Sequence, residues 1–98
     1  MSTDLQSHET ELRGEWVVAG NQVTGNAICE RIAWLIQSRL NRVASANHGW
    51  DTLFRDPHTD RFWELTYPHS EWHGGGPPML RAISLSDAQA KYFRSSDI

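Results

Sequence analysis

Apolar positions along the chain change period near residue 42, and that change sets the expected fold class. Upstream of it, Ile28, Ile32, Leu35, Ile36 and Leu40 recur at helical intervals. At roughly 100° per residue they fall, with Cys29, on one stripe of a helix. Thr24 or Asn26 can cap its start, because their side-chain oxygens accept from otherwise unpaired backbone N–H groups. Trp34 lies on the opposite side and is expected to cover a second element, since an exposed Trp is uncommon.

Downstream, residues 43–46, 50–55, 61–67 and 79–84 read as strands. Asn47-His48-Gly49 is the first turn between them. Asp56-Pro57-His58-Thr59-Asp60 is the second, with Pro fixing φ and the Asp side chains bonding local backbone, so 50–55 and 61–67 are expected to form a hairpin. In 61–67 the alternation places Trp63, Leu65 and Tyr67 on one face, suited to packing beneath the helix. Phe62, Glu64 and Thr66 fall on the other, expected to face water or a partner. Ahead of the helix, residues 15–18 form a short β-prone run followed by a turn at 19–22. Ser86-Asp87-Ala88-Gln89 reads as a capping box that opens a short terminal helix to about Phe93, with Ala88, Tyr92 and Leu85 expected inward.

Residues 1–10 hold only Met1 and Leu5 as apolar positions and are expected to be a disordered tail, leaving 11–98 as a single domain. Strands grouped in sequence favour antiparallel pairing. The expectation is an α+β fold: an antiparallel sheet of about four to five strands, with one longer and one short C-terminal helix packed on one face.

Charge and composition narrow the function classes. The chain has 98 residues and a net charge of -3; eight of its nine basic residues are Arg, and no Lys/Arg cluster occurs. Phosphate neutralisation needs clustered cations, so nucleic acid is not an expected partner. Mild acidity instead favours a basic partner. The single Cys29 excludes an internal disulfide and any multi-cysteine metal site. No apolar run is long enough to span a bilayer, and the polar, acidic start is unlike a signal peptide, so no membrane association and a cytoplasmic location are expected.

Chemistry-bearing residues concentrate in 49–78. His69 and His73 have a four-residue spacing that suits a metal on a helix, with Glu71 between them, but Pro68 and Gly74-Gly75-Gly76 make a helix there improbable. Without a helix the two histidines read as loop residues with local hydrogen bonds. Gly74-Gly75-Gly76-Pro77-Pro78 lacks the Lys-Ser/Thr of a phosphate loop, and its prolines remove backbone donors. Arg55 and Glu64 on neighbouring strands read as a cross-strand pair that fixes register, as a polar patch on the open sheet face, or as both. Cys29, on the helix stripe, reads as a small buried hydrophobe. No nucleophile elbow, His-Glu-x-x-His or paired-carboxylate motif is present. Tyr67, Trp72 and His73 flank the glycine run, and Trp and Tyr supply large contact area at low entropic cost.

Several segments together resemble the immunity protein 27 family, small antidotes of bacterial polymorphic toxin systems. They are Gly14-x-Trp16, Cys29-Glu30-Arg31-Ile32-x-Trp34-Leu35-Ile36, Gly49-Trp50-Asp51-Thr52-Leu53 with Arg55-Asp56-Pro57, Trp63-Glu64-Leu65-Thr66-Tyr67-Pro68, Ser70-Glu71 and His73-Gly74-Gly75-Gly76-Pro77-Pro78. Phe62 stands where a tyrosine is expected. The resemblance implies an α+β fold and a non-enzymatic role in neutralising a cognate toxin domain encoded by an adjacent gene, by blocking its active site or an adjacent exosite. The expected partner surface joins the open sheet face (Arg55, Asp56, Glu64, Arg81) to the loop side (Tyr67, Glu71, Trp72, His73, Gly74, Gly75, Gly76). No cofactor or metal is expected, and the chain is expected as a monomer or weak homodimer. Two other readings are a small metal-dependent hydrolase using His69, Glu71 and His73, and a generic protein-binding adaptor.

Overall fold

A computed structural model describes residues 4–69 and 76–93. Among these, the strands are β1 (Glu11–Arg13), β2 (Trp16–Ala19), β3 (Gln22–Gly25), β4 (Asn41–Ala46), β5 (Asp51–Arg55), β6 (Phe62–Thr66) and β7 (Met79–Ile83), and the helices α1 (Ala27–Ser38) and α2 (Leu85–Tyr92). Five strands form one antiparallel sheet in the order β1-β7-β6-β5-β4, and β2 pairs only with β3 in a separate two-stranded sheet. The fold is therefore α+β, with one longer helix and one short C-terminal helix, as the pattern of the chain implied.

The middle of the α1 stripe is buried as its spacing demands, whereas Ile28 in the first turn is exposed and Leu40 follows the end of the helix. Ile32 and Leu35 are completely buried, and with Leu40 they pack against Leu12, Phe54, Trp63, Leu65 and Leu80 of the sheet. Side chains of this size are each worth about 1.5–3 kcal/mol when fully removed from water, so this face carries most of the stability. Trp34 packs at the margin of the same cluster, with the Arg39 guanidinium 5.1 Å from its ring centre. Asn26 is the cap: its Oδ1 accepts from Cys29 N at 3.1 Å.

The helices do not share a face. Register pairs Trp63 with Phe54 and Ala82, and Glu64 with Leu53 and Arg81, so Glu64 points away from the α1 side. α2 lies over that second face, burying Ala88 and reaching Glu64 with Lys91 and Tyr92. The expectation of both helices on one face is corrected here. α2 has little apolar surface to offer the α1 core, and its polar side chains find their partners on the other side. Its start also differs: Ser84, not Ser86, is the cap, with Oγ accepting from Asp87 N at 3.1 Å.

Residues 4–10, expected as a tail, lie back against α1. Arg31 donates two hydrogen bonds of 2.7 Å to the two carboxylate oxygens of Glu9, and a third of 2.7 Å to the Asp4 carbonyl. Arg61 adds a bond of 2.9 Å to the Glu9 carbonyl, and Leu5 packs on the core.

Candidate functional site

The middle of the second face is a closed polar network. Glu64 is 1% exposed, and its carboxylate accepts from Lys91 Nζ at 2.5 Å, Tyr92 Oη at 2.8 Å and Arg81 Nη2 at 3.2 Å. Lys91 also lies 2.8 Å from Asp51 Oδ2, and Asn47 Nδ2 donates to the same oxygen at 3.2 Å. Burial alone pushes the Glu64 carboxyl up, but its donors outweigh that and leave it below the usual range. Burial pulls the Lys91 amine down, while Asp51 and Glu64 more than restore it. Burial, and then the bond to Glu64, push the Tyr92 phenol far above its ordinary value. Each group is thus fixed in one charge state near neutrality. Such a network fastens α2 to the sheet and leaves Glu64 unavailable to a partner, contrary to its expected place on an open face.

The anticipated Arg55–Glu64 pair does not form. Register sets Arg55 opposite Phe62, and the Arg55 guanidinium pairs instead with Asp60 across the β5–β6 turn. Asp56, also buried, accepts from His58 N at 2.9 Å and so shapes that turn, as its local chemistry implied. Arg55 and Asp56 sit at one end of β5 and β6; Tyr67 and Pro68 lie at the other, separated by roughly 15 Å of strand. The expected surface is therefore divided, with Arg81 between its halves.

The end that carries Tyr67 is the more unusual. Trp50 and Tyr67 meet edge to face, with ring centres 5.7 Å apart and an interplanar angle of 80°. Trp50 remains 48% exposed. Beside it Asn47 and His48 hold φ of 58° and 60°, and Gly49 of 91°. Left-handed backbone costs about 1 kcal/mol or more at a non-glycine residue, and here the Asn47–Asp51 bond helps to hold it. The result lifts His48 and Trp50 outward around a shallow depression lined by His48, Gly49, Trp50 and Tyr67.

Nearby, the loop base is pinched. Gly76 has φ of 73°, and a Cβ there would lie 2.5 Å from the His69 carbonyl oxygen, so only glycine fits. Gly14 N donates to the Pro78 carbonyl at 2.8 Å, tying β1 to the same base. Between them opens a cleft of about 250 Å³ whose walls include Trp16, Pro68, His69, Pro77 and Met79. Glu71, Trp72, His73, Gly74 and Gly75 lie outside the described residues. Among the described residues no group of three or more His, Cys, Asp or Glu is placed to hold a metal ion. No helix in the described residues is long and apolar enough to cross a membrane.

Two groups of residues escaped the sequence reading. One is the pair Asp51 and Lys91, for which the signal was slight: Lys91 is the only lysine in the chain and lies in the predicted terminal helix. The other is β3, which pairs with the expected 15–18 run to make a hairpin whose Val17, Val18 and Val23 stand exposed.

Fold and surface together define a small antiparallel α+β domain whose buried carboxylates, Asp51, Asp56 and Glu64, are committed to holding its own elements. The family model of immunity protein 27 matches residues 18–84, more than half of the chain, and the chain belongs to that family. α2 begins immediately beyond the matched residues. No curated protein and no solved structure matches the chain.

Proposed function

We propose that this chain is an immunity protein that binds a cognate bacterial toxin in the cytoplasm and neutralises it stoichiometrically, by covering its active site or an adjacent exosite. The observation that carries the reading is the family match over residues 18–84. The partner is the toxin domain encoded by the adjacent gene. Shape and charge do the work, without bond-making by this chain. The contact surface centres on Tyr67, with Trp50 beside it, and extends over the loop residues Glu71, Trp72, His73, Gly74, Gly75 and Gly76 to Arg81. Arg55 contributes from the far end of the sheet. Glu64 and Asp56 act from beneath, since both are buried, by fixing α2 and the β5–β6 turn.

Co-expression of the chain with that toxin domain tests the proposal. Protected growth and a one-to-one complex in size-exclusion chromatography are expected. Unprotected growth with no complex would refute it.

A further inference from the structure

The β2–β3 hairpin stands apart from the main sheet and exposes several large apolar side chains. Among the described residues its two strands pair only with each other, and an isolated two-stranded sheet is marginal in water. Val18 and Val23 face each other in register and are 75% and 63% exposed. Trp16, on the same side as Val18, and Val17, on the opposite side, are exposed as well, as is Ile28 in the first turn of α1 that follows. These side chains make the hairpin an exposed apolar arm, and large exposed apolar patches on soluble proteins commonly mark interaction sites.

Charge indicates what covers it. From Gly14 to Glu30 the chain has no Lys, Arg or His, its carboxylates are Glu15 and Glu30, and the flanking Arg13 and Arg31 are paired with Glu11 and Glu9. Both glutamates are exposed, and neither carboxylate has a cation partner among the described residues. The arm is thus apolar with an anionic rim. A second copy of this chain would bring two such rims together, so like-charge repulsion opposes self-association through it. A surface with an apolar centre and cations around it is complementary. Trp16 also walls the cleft beside Pro68, His69 and Pro77, so the arm is continuous with the loop base.

We infer that the β2–β3 hairpin is a docking arm for an apolar, Lys/Arg-rimmed surface of the toxin domain. The inference rests on the immunity reading and adds a second, separately testable contact to it. The arm stays partly unsupported in the free chain and becomes buried in the complex.

Two variants test it, each in the full chain against the adjacent-gene toxin domain with its catalytic residue inactivated. Val18→Thr with Val23→Thr keeps β-branched residues, and so strand propensity, while breaking the apolar face. Glu15→Lys with Glu30→Lys reverses the rim. Isothermal titration is expected to show weakening of about tenfold for the first and about thirtyfold for the second, with unchanged circular dichroism and a loss of salt dependence in the charge variant. Binding within about twofold of the parent in both variants overturns the docking arm while leaving the immunity reading intact. A parent chain that does not bind overturns both. A parent dimer in sedimentation equilibrium that Val18→Thr with Val23→Thr dissolves also overturns the inference, because the arm is then a self-contact.

Discussion

Lys91 Nζ lies 2.5 Å from Glu64 Oε2, joining the last turn of α2 to the middle of β6. Glu64 is buried while the Lys91 side chain is 39% exposed, so the pair is asymmetric. Lys91→Met leaves Glu64 with Arg81 and Tyr92 alone, and leaves Asp51 with Asn47. Breaking a fully buried pair costs about 3–5 kcal/mol; partial access of water to the amine lowers the expected loss to about 2 kcal/mol. Urea denaturation measures it. Glu64→Gln combined with Lys91→Met is expected to cost less than the sum of the single changes, since each removes the other's partner.

Acid stability is expected to follow Glu9. The hydrogen bonds from Arg31 hold its carboxyl down to about 2, against an ordinary value of 4.5. A carboxylate depressed by folding stabilises the native state above its unfolded pKa, and that contribution fades as pH falls through the folded one. The window is therefore about pH 4.5 down to about 2. Glu64 is shifted in the same direction and adds to the loss. Glu9→Gln is expected to lower stability at pH 7 by about 1–2 kcal/mol and to flatten the acid limb. Urea midpoints between neutrality and pH 2 test this, and equal acid slopes in parent and variant would contradict it.

Tight packing around Cys29 gives a third expectation. A Cβ at Gly14 would lie 2.6 Å from Cys29 Sγ and 2.7 Å from the Pro78 carbonyl, whereas one at Gly25 would lie 2.8 Å from Cys29 Cβ. Gly14→Ala and Gly25→Ala should each cost about 2 kcal/mol by overpacking. Adding Cys29→Ala removes the sulfur, and is expected to restore about half of the Gly14→Ala loss but little of the Gly25→Ala loss, where Cβ meets Cβ. Thermal unfolding of the four variants reads the difference.

What could be read from the chain depended on how local its cause was. α1 and its Asn26 cap were legible because a full stripe and a capping oxygen lie within one segment. The β5–β6 hairpin was legible because its turn carries its own chemistry. β1 was missed: Glu11, Leu12 and Arg13 alternate only once, too short a run to read, and the pairing with β7 is long-range. β3 was missed because none of its side chains is buried. The face chosen by α2 and the true partners of Glu64 depend on register across β5, β6 and β7, which no single segment encodes. The same holds for the candidate surface. Tyr67 was visible as an aromatic beside a glycine run, but the Trp50 that completes it comes from a different strand end.

That pair separates a binding role from a structural one. Trp50 is 48% exposed and touches Tyr67 edge to face, so Trp50→Ala forfeits an aromatic contact and limited burial. The expected loss of stability is about 1 kcal/mol. A Trp that anchors an interface, by contrast, costs about 2 kcal/mol or more of binding when truncated, or roughly thirtyfold in Kd. Calorimetric titration with the inactivated toxin domain, beside urea denaturation of the same protein, compares the two quantities. A binding loss well above the stability loss places the aromatic corner in the contact. Unchanged binding with a stability loss of about 1 kcal/mol assigns Trp50 to the packing of Tyr67 alone and moves the contact toward the loop and the hairpin.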